Sequence, residues 1–408
     1  MTTISRIRIA DQRFPLEHGD GSDSVHVDPI YSYAVAYLDT DDNLTGVGIA
    51  FTLGAGNAEV CRLIEMMAAP LVGREIEELM AEFGVVFRHL ADHPQLRWLG
   101  PHKGAVHLAL ASITNGCFDL WAKARGVPLW RLLLDLSPEQ VVNTLDLSYV
   151  EDMLPRAAAL SVLEDARADR AQRMDVIDTG YPGYDTSIGW FNYSDEQVKA
   201  NIAAAVDAGF TAMKLKVGAK DGERDIRRAY MVREAAGPAA SVMLDCNQQW
   251  TLPQAIRMSL ALADMSPYWI EEPTHPDDVL AHQTLARAIA PVRIAAGEHV
   301  PNRILFKNYM QAQAMHFVQV DCVRVGGISE FSTVSLLARH FGLPVVPHVG
   351  DMGQIHQHLV IFNHVAMGHE KLFLEYIPHL RCHFRNPAQV SGGVYHAPQE
   401  AGCSSDFA

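Results

Sequence analysis

From about residue 141 onward, short apolar runs alternate with longer stretches of helical periodicity, and this alternation restricts the possible architecture more than any other feature of the chain. VVNTLDLSY, TAMKLKVG, SVMLDCN, YWIEEP, VRIAAGEH, FVQVDCVRVGG, PVVPHVG and LFLEYI read as strands. Stretches such as DEQVKANIAAAVDAGF, LPQAIRMSLALADM and IHQHLVIFNHVAMG read as helices between most of them. Apolar strands that each return through a helix belong to a parallel sheet covered on both faces. Eight such units over about 240 residues predict an α/β fold, a (β/α)8-type (modified TIM) barrel spanning 141–380, although a doubly wound open sheet shares much of the pattern. Residues 150–195 read as extra helix followed by turns.

Residues 1–140 follow a different grammar. ISRIRIADQRF and YSYAVAYLDTDDNLTGVGIAF alternate apolar and polar positions around a DTDDN turn, as a half-exposed antiparallel sheet does. AEVCRLIEMMAAPLVG and GAVHLALASITNGCFDLWAKARG then carry helical spacing and stop at glycine. An N-terminal α+β domain precedes the barrel, and the Pro/Gly-rich tail 381–408 is expected to return to it.

The 33 basic residues against 48 acidic ones give a formal charge of −15, the wrong sign for neutralising phosphates, so nucleic acid is excluded as a partner. The six cysteines occur singly, without CxxC spacing, which fits a reducing compartment rather than a disulfide framework. No apolar run approaches the roughly 18 residues of a membrane span, and the start lacks a signal-like segment. The expectation is a soluble cytoplasmic protein without a membrane partner. Its apolar first-domain helices make a homo-oligomer the expected state.

Charged residues stand where the apolar strands end. Asp245 closes SVMLD, Glu271 closes YWIE and Glu298 closes VRIAAGE, 26 and 27 residues apart, one strand-helix unit per step. Any one of them alone would read as a helix cap. Three in register converge on one barrel mouth, where they would repel unless a hard cation such as Mg²⁺ were bound. Lys214 and Lys216 in MKLKVG share one face of a strand. Alone they would suit a solvated edge strand; beside the acids, mutual repulsion and desolvation are expected to lower their pKa values and make Lys216 a base. Asp321 in VQVD and His348 in VVPH repeat the 27-residue step and predict a His/Asp dyad across the mouth. Glu375, ending LFLE, completes the set, with a loop-anchoring role as the alternative.

These residues resemble the enolase superfamily, specifically its mandelate-racemase-like branch. The matching motifs are KLK at 214–216, DCNQQW at 245–250, IEEP at 270–273, GEH at 297–299, VQVDCVRVGG at 318–327 and PH at 347–348. Within that branch the chain is similar almost end to end to the L-fuconate dehydratases, through DGSD at 20–23, FTLGAGN at 51–57, LRWLGPHKG at 96–104, GYPGYDTSIGW at 180–190, EEPTHPDDVL at 271–280 and GEHVPNRILFK at 297–307. The resemblance implies a capping domain built from the N-terminal residues and the tail, with a loop near 18–30 closing over the barrel. It also implies a Mg²⁺ cofactor and a small sugar acid as partner. Asp23, Lys103, Tyr184, Asn247 and His299, all within these motifs, are the expected substrate-binding residues. The chain departs from that group after His348, where HVGDMGQIHQH replaces a Gly-rich turn leading to a Cys-Glu pair, so Asp351, Gln354 and His356 introduce different chemistry.

The implied reaction is removal of the α-proton by Lys216 and of the β-hydroxyl with a proton from His348, through an enediolate, to a 2-keto-3-deoxy sugar acid. Three rival readings remain open at this level. They are a racemase or epimerase with the same Lys and His, a dehydratase for another aldonic or aldaric acid, and a sugar-acid binding protein without turnover.

Overall fold

Three antiparallel strands, β1 (Ile4–Pro15), β2 (Ile30–Thr40) and β3 (Thr45–Thr52), open the computed structural model, which describes every residue except His18. The expected loop near 18–30 therefore has its first residue outside the described ones. Asn43 closes the β2–β3 turn at φ 65°, a conformation that a short amide side chain tolerates. The sheet lies on the helix Gly104–Ala124 so tightly that a Cβ on Gly48 would stand 1.8 Å from the Ser112 carbonyl oxygen. The Ser112 hydroxyl uses the same approach, donating to the Gly48 carbonyl at 2.9 Å and accepting from the Ala36 N–H at 3.1 Å. One turn on along the same face, the Asn115 amide joins this sheet to the barrel, donating to the carbonyls of Ile49 on β3 and of Cys322.

The barrel begins later than its sequence pattern suggests. Residues 141–149, read as the first strand, are the end of a helix, Pro138–Asn143, followed by turns. Ser137 and Gln140 form a capping box around Pro138, and that local start signal outweighs the β-branched Val141 and Val142. The first barrel strand is β4 (Tyr181–Gly189), inside the stretch read as turns because of its glycines and proline. Those glycines serve packing: a Cβ on Gly189 would approach the Leu215 side chain to 2.9 Å.

From β4 the parallel order is β5 (Ala212–Lys216), β6 (Ser241–Asp245), β7 (Trp269–Glu271), β8 (Ile294–Ala296) and β9 (Phe317–Val318). The segment 344–348 follows, held to β9 by Val318 N–H to Pro344 O at 3.0 Å and Val346 N–H to Val318 O at 2.9 Å. Strand β10 (Leu374–Tyr376) then pairs with β4, with Glu375 opposite Tyr184. Seven helices connect these positions, from Asp195–Asp207 to Ile355–Met367. The fold is thus a (β/α)8-type barrel behind an α+β cap. Tyr184, Ala212, Met243, Trp269, Ala295, Phe317 and Val346 fill the barrel axis as a plug.

The final residues reach back to the first domain. Phe407 stacks on Phe384 and Phe14 and packs against Tyr33, Lys123 Nζ meets Asp406 at 2.9 Å, and the Cys403 N–H donates to Asp119 at 2.6 Å. Among the described residues no helix is long and apolar enough to cross a membrane. All six cysteines are unpaired.

Cap, connector and barrel also share one buried cation. Arg303 donates to Asp146 at 2.6 Å, to the Ser148 carbonyl at 3.1 Å and to Glu330 at 3.2 Å, while His107 of the cap helix takes the other Glu330 oxygen at 2.7 Å. Replacing only the cation strands buried carboxylates, so Arg303→Met is expected to cost about 3–5 kcal/mol in urea unfolding.

Candidate active site

Strand alternation delivers the functional groups to the barrel axis. On β5, Met213 and Leu215 enter the layer under the helices, while Ala212 joins the axial plug, so Lys214 and Lys216 share the axial face. On β6, Val242 and Leu244 face the helices and Met243 faces the axis, which puts Asp245 at the mouth. Lys216, Asp245 and Glu271 are successive partners in the ladder and form one tier. Lys214 rises from the tier of Met243 below them.

At the mouth, Lys214 Nζ lies 2.7 Å from both Glu271 and Glu375 and 3.6 Å from Asp245, and it has no exposed surface. Lys216 Nζ lies 2.5 Å from Asp245 and borders the cavity. Across the ring, His348 sends Nδ1 to Asp321 at 2.7 Å and Nε2 to Glu298 at 3.0 Å. Oxygens of Asp245, Glu271 and Glu298 lie within 4.8 Å of one another. All three are buried hard donors, and the neighbouring Asn247 side-chain oxygen is buried without a donor, a set whose chemistry fits a divalent cation such as Mg²⁺. The backbone after these strands is strained, with Asn247, Gln248 and Glu272 all at positive φ, and it is pinned by Gln248 N–H to Glu272 O at 2.7 Å.

The electrostatics overturn one sequence expectation. Burial pulls Lys216 downward, but Asp245, with Glu298 and Asp23, more than reverses this, and the ammonium stands above the ordinary lysine range. Lys214 is likewise raised: burial opposes it, but Glu271 and Glu375 prevail. Repulsion between the two lysines is real but smaller than either lysine's attraction to its carboxylates. Burial, reinforced by Asp245 and Glu375, pushes Glu271 up to about 8 against the pull of Lys214. His348 is raised well above the usual imidazole value, because Glu298 and Asp321 outweigh its burial. His299, held by Glu272 at 3.0 Å and Glu298 at 3.1 Å, rises to about 9 despite burial.

A loop of the cap closes the mouth. The Ser22 carbonyl accepts from Phe191 N–H at 3.0 Å, and the Ser24 hydroxyl donates to the Cys246 carbonyl at 3.2 Å. Asp23 accepts from the N–H groups of Val25 and His26 and pairs with the His26 ring at 2.9 Å. Asp23, Asn247 and His299 therefore border the cavity, as do Glu298, His348 and Glu375. Two expected substrate residues do not. Lys103 is exposed at the start of the helix Gly104–Ala124, outside the lining, and Tyr184 is buried in the plug, its ring 5.6 Å from Trp269. A larger groove elsewhere, beside Val85, Asn143 and Arg156, contains none of these groups.

Sequence reasoning missed several lining residues. Trp190 and Arg324 lay inside recognised motifs, GYPGYDTSIGW and VQVDCVRVGG, and could have been singled out there. Phe51 and Leu53 likewise lay in FTLGAGN, whereas Tyr31 of β2 carries no local signal. In the departing loop, Asp351 accepts from the Tyr33 hydroxyl at 2.5 Å and Gln354 donates to the Asn386 carbonyl at 2.8 Å, so both tether cap and tail. His356 instead reaches Asp321, at 2.9 Å.

Residues 197–408 match the family described as Enolase C-terminal domain-like. The chain is 39% identical to human Mitochondrial enolase superfamily member 1 over 99% of its length and 93% of that protein. The crystal structure of the human protein superposes with a TM-score of 0.97, covering 100% of this chain and 94% of that one. L-galactonate dehydratase of Hypocrea jecorina is 37% identical over 99% of this chain and 92% of its own length. The structure of L-talarate/galactarate dehydratase from Salmonella typhimurium LT2, liganded with Mg and L-lyxarohydroxamate, is 25% identical with a TM-score of 0.78, covering 100% of this chain and 90% of that one.

Raised groups bind more protons folded than unfolded. For Glu271, His299 and His348 that excess spans pH 6.5 to 8, and stability must fall as pH rises through this window. EDTA-treated protein is therefore expected to melt at a lower temperature at pH 8 than at pH 6.5 in a thermal scan. Added Mg²⁺ should raise the melting temperature more at pH 8.

Proposed function

The chain belongs to the enolase superfamily, and we propose that it is a sugar-acid dehydratase that converts an aldonic acid of the L-galactonate/L-fuconate type to its 2-keto-3-deoxy acid. L-Fuconate is 6-deoxy-L-galactonate, so the two acids share configuration from C2 to C5. The extended similarity to an L-galactonate dehydratase supports that stereochemistry. The observation that carries the reading is that Lys216 and His348, on barrel positions far apart round the ring, border one cavity beside the clustered oxygens of Asp245, Glu271 and Glu298.

Lys216, the lysine that borders the cavity, takes the α-proton as the free amine. Its ammonium must first lose the proton that Asp245 holds on it, and a cation drawing Asp245 away would favour that loss. Lys214, sealed beneath, holds Glu271 and Glu375 in place as their counter-ion. His348, kept protonated by Asp321 and Glu298, gives its Nε2 proton to the departing β-hydroxyl. Asp23 and His26 border the cavity from the cap. Glu375, anchored by the Thr186 hydroxyl at 2.6 Å and Val349 N–H at 3.1 Å and paired with Lys214 at 2.7 Å, borders the cavity as a carboxylate able to accept from a substrate hydroxyl. A Mg²⁺ held by Asp245, Glu271 and Glu298 would supply positive charge toward the developing enediolate and compete with Lys216 for Asp245.

Incubation of the enzyme with L-galactonate and L-fuconate, read by a colour test for 2-keto-3-deoxy acids, is expected to give product with Mg²⁺ and none after EDTA treatment. Full activity in the stripped protein would rule out the proposed chemistry. In D₂O, Lys216→Ala should lose α-proton exchange and dehydration together. His348→Asn should keep exchange, with retention of configuration, while forming about 10²–10⁴-fold less keto product. Deuterium at C2 of a still-hydroxylated acid of inverted configuration, without keto product, would instead identify an epimerase.

A further inference from the structure

Asp321 is held by two imidazoles, only one of which faces the cavity. Its Oδ2 meets His348 Nδ1 at 2.7 Å, and its Oδ1 meets His356 Nε2 at 2.9 Å and accepts the Val323 N–H at 2.8 Å. Asp321 has no exposed surface and His356 is 2% exposed. The His356 ring sits in the first turn of the helix Ile355–Met367, against Phe331, directly after a loop tethered to cap and tail by Asp351 and Gln354.

The protonation pattern of this ring follows from its neighbours. Nε2 also lies 3.1 Å from the Cys322 N–H, but one ring nitrogen either donates or accepts. A bare Nε2 lone pair facing a carboxylate oxygen would be repulsive, whereas Nε2–H gives a charge-assisted bond, so the proton lies toward Asp321. Nδ1 is then left buried without a partner. A buried ring that leaves one nitrogen unsatisfied calls for an explanation, and the bond to Asp321 provides one.

We infer that His356 is a positioning residue: it clamps one oxygen of Asp321, fixing the carboxylate plane so that the other oxygen orients His348 with Nε2 toward the cavity. Without the clamp, that oxygen of Asp321 retains only the Val323 N–H, and the carboxylate plane is held less firmly. His356 belongs to the segment that departs from the L-fuconate dehydratase pattern. The inference rests on His348 as the leaving-group acid, the reading proposed above.

The test compares His356→Phe, which keeps the shape and removes the bond, with His356→Gln, which keeps an N–H donor of similar reach. With L-galactonate, His356→Phe is expected to lose about tenfold or more in kcat with KM within about twofold, while His356→Gln recovers most of the loss. If the Phe variant does not fold, His356→Asn, polar but too short to reach Asp321, takes its place. A crystal structure of the bond-less variant should show the Asp321 carboxylate turned away from His348. Parent-like kcat in that variant, no recovery with Gln, or an undisturbed Asp321–His348 contact would each overturn the inference. Should the parent enzyme turn over no sugar acid, the functional reading falls, and the crystal structure alone decides whether His356 positions Asp321.

Discussion

One buried ammonium group holds the mouth of this barrel together. Lys214 has no exposed surface, and Glu271, Glu375 and Asp245 surround it. Carboxylates so close and so far from water could not all remain ionised without it, and even with it Glu271 sits near 8. The rest of the site follows from this charge balance. Lys216 completes the neutralisation from above, Glu298 turns to the two imidazoles His299 and His348, and the trio is left poised for one more positive charge.

The residues at the strand ends were legible because a barrel repeats one strand-helix unit, and a near-constant step of 26 or 27 residues marks equivalent places on successive strands. That period gave Asp245, Glu271 and Glu298, and again Asp321, His348 and Glu375. The first strand was not legible, because Gly183, Gly189 and Pro182 signal turns locally, while close packing against Leu215 at Gly189 and against Phe210 and Tyr395 at Gly183 demands the two glycines. The converse error at 141–149 arose from reading β-branched residues ahead of a capping box. Tyr184 and Lys103 lay in shared motifs, but a motif identifies a neighbourhood and gives no depth: one side chain sits a tier below the mouth, the other on the outer surface. The lysine electrostatics were misjudged because the two ammonium groups are adjacent in sequence, whereas their carboxylate partners come from other strands.

Cap and barrel divide the work between them. The barrel supplies rigid, buried chemistry on strands; the cap supplies Asp23, His26, Tyr31 and Phe51, which meet that chemistry only across a domain boundary. The two are coupled, since Asp23 helps hold the Lys216 ammonium and Ser24 bonds the Cys246 carbonyl. Arg303 and Asn115 keep the two parts in register, and His356 shows that the helix layer behind the barrel also reaches the dyad.

The returning tail has a consequence for biosynthesis. Phe14 and Tyr33 leave the ribosome before the whole barrel, and the rings that cover them, Phe384 and Phe407, leave after it. The cap sheet cannot finish its own core while the barrel is still being translated, so a sticky aromatic surface waits through nearly the whole of synthesis. A chain stopped between Tyr376 and Phe384 would keep every barrel strand and lose the cover of the cap sheet.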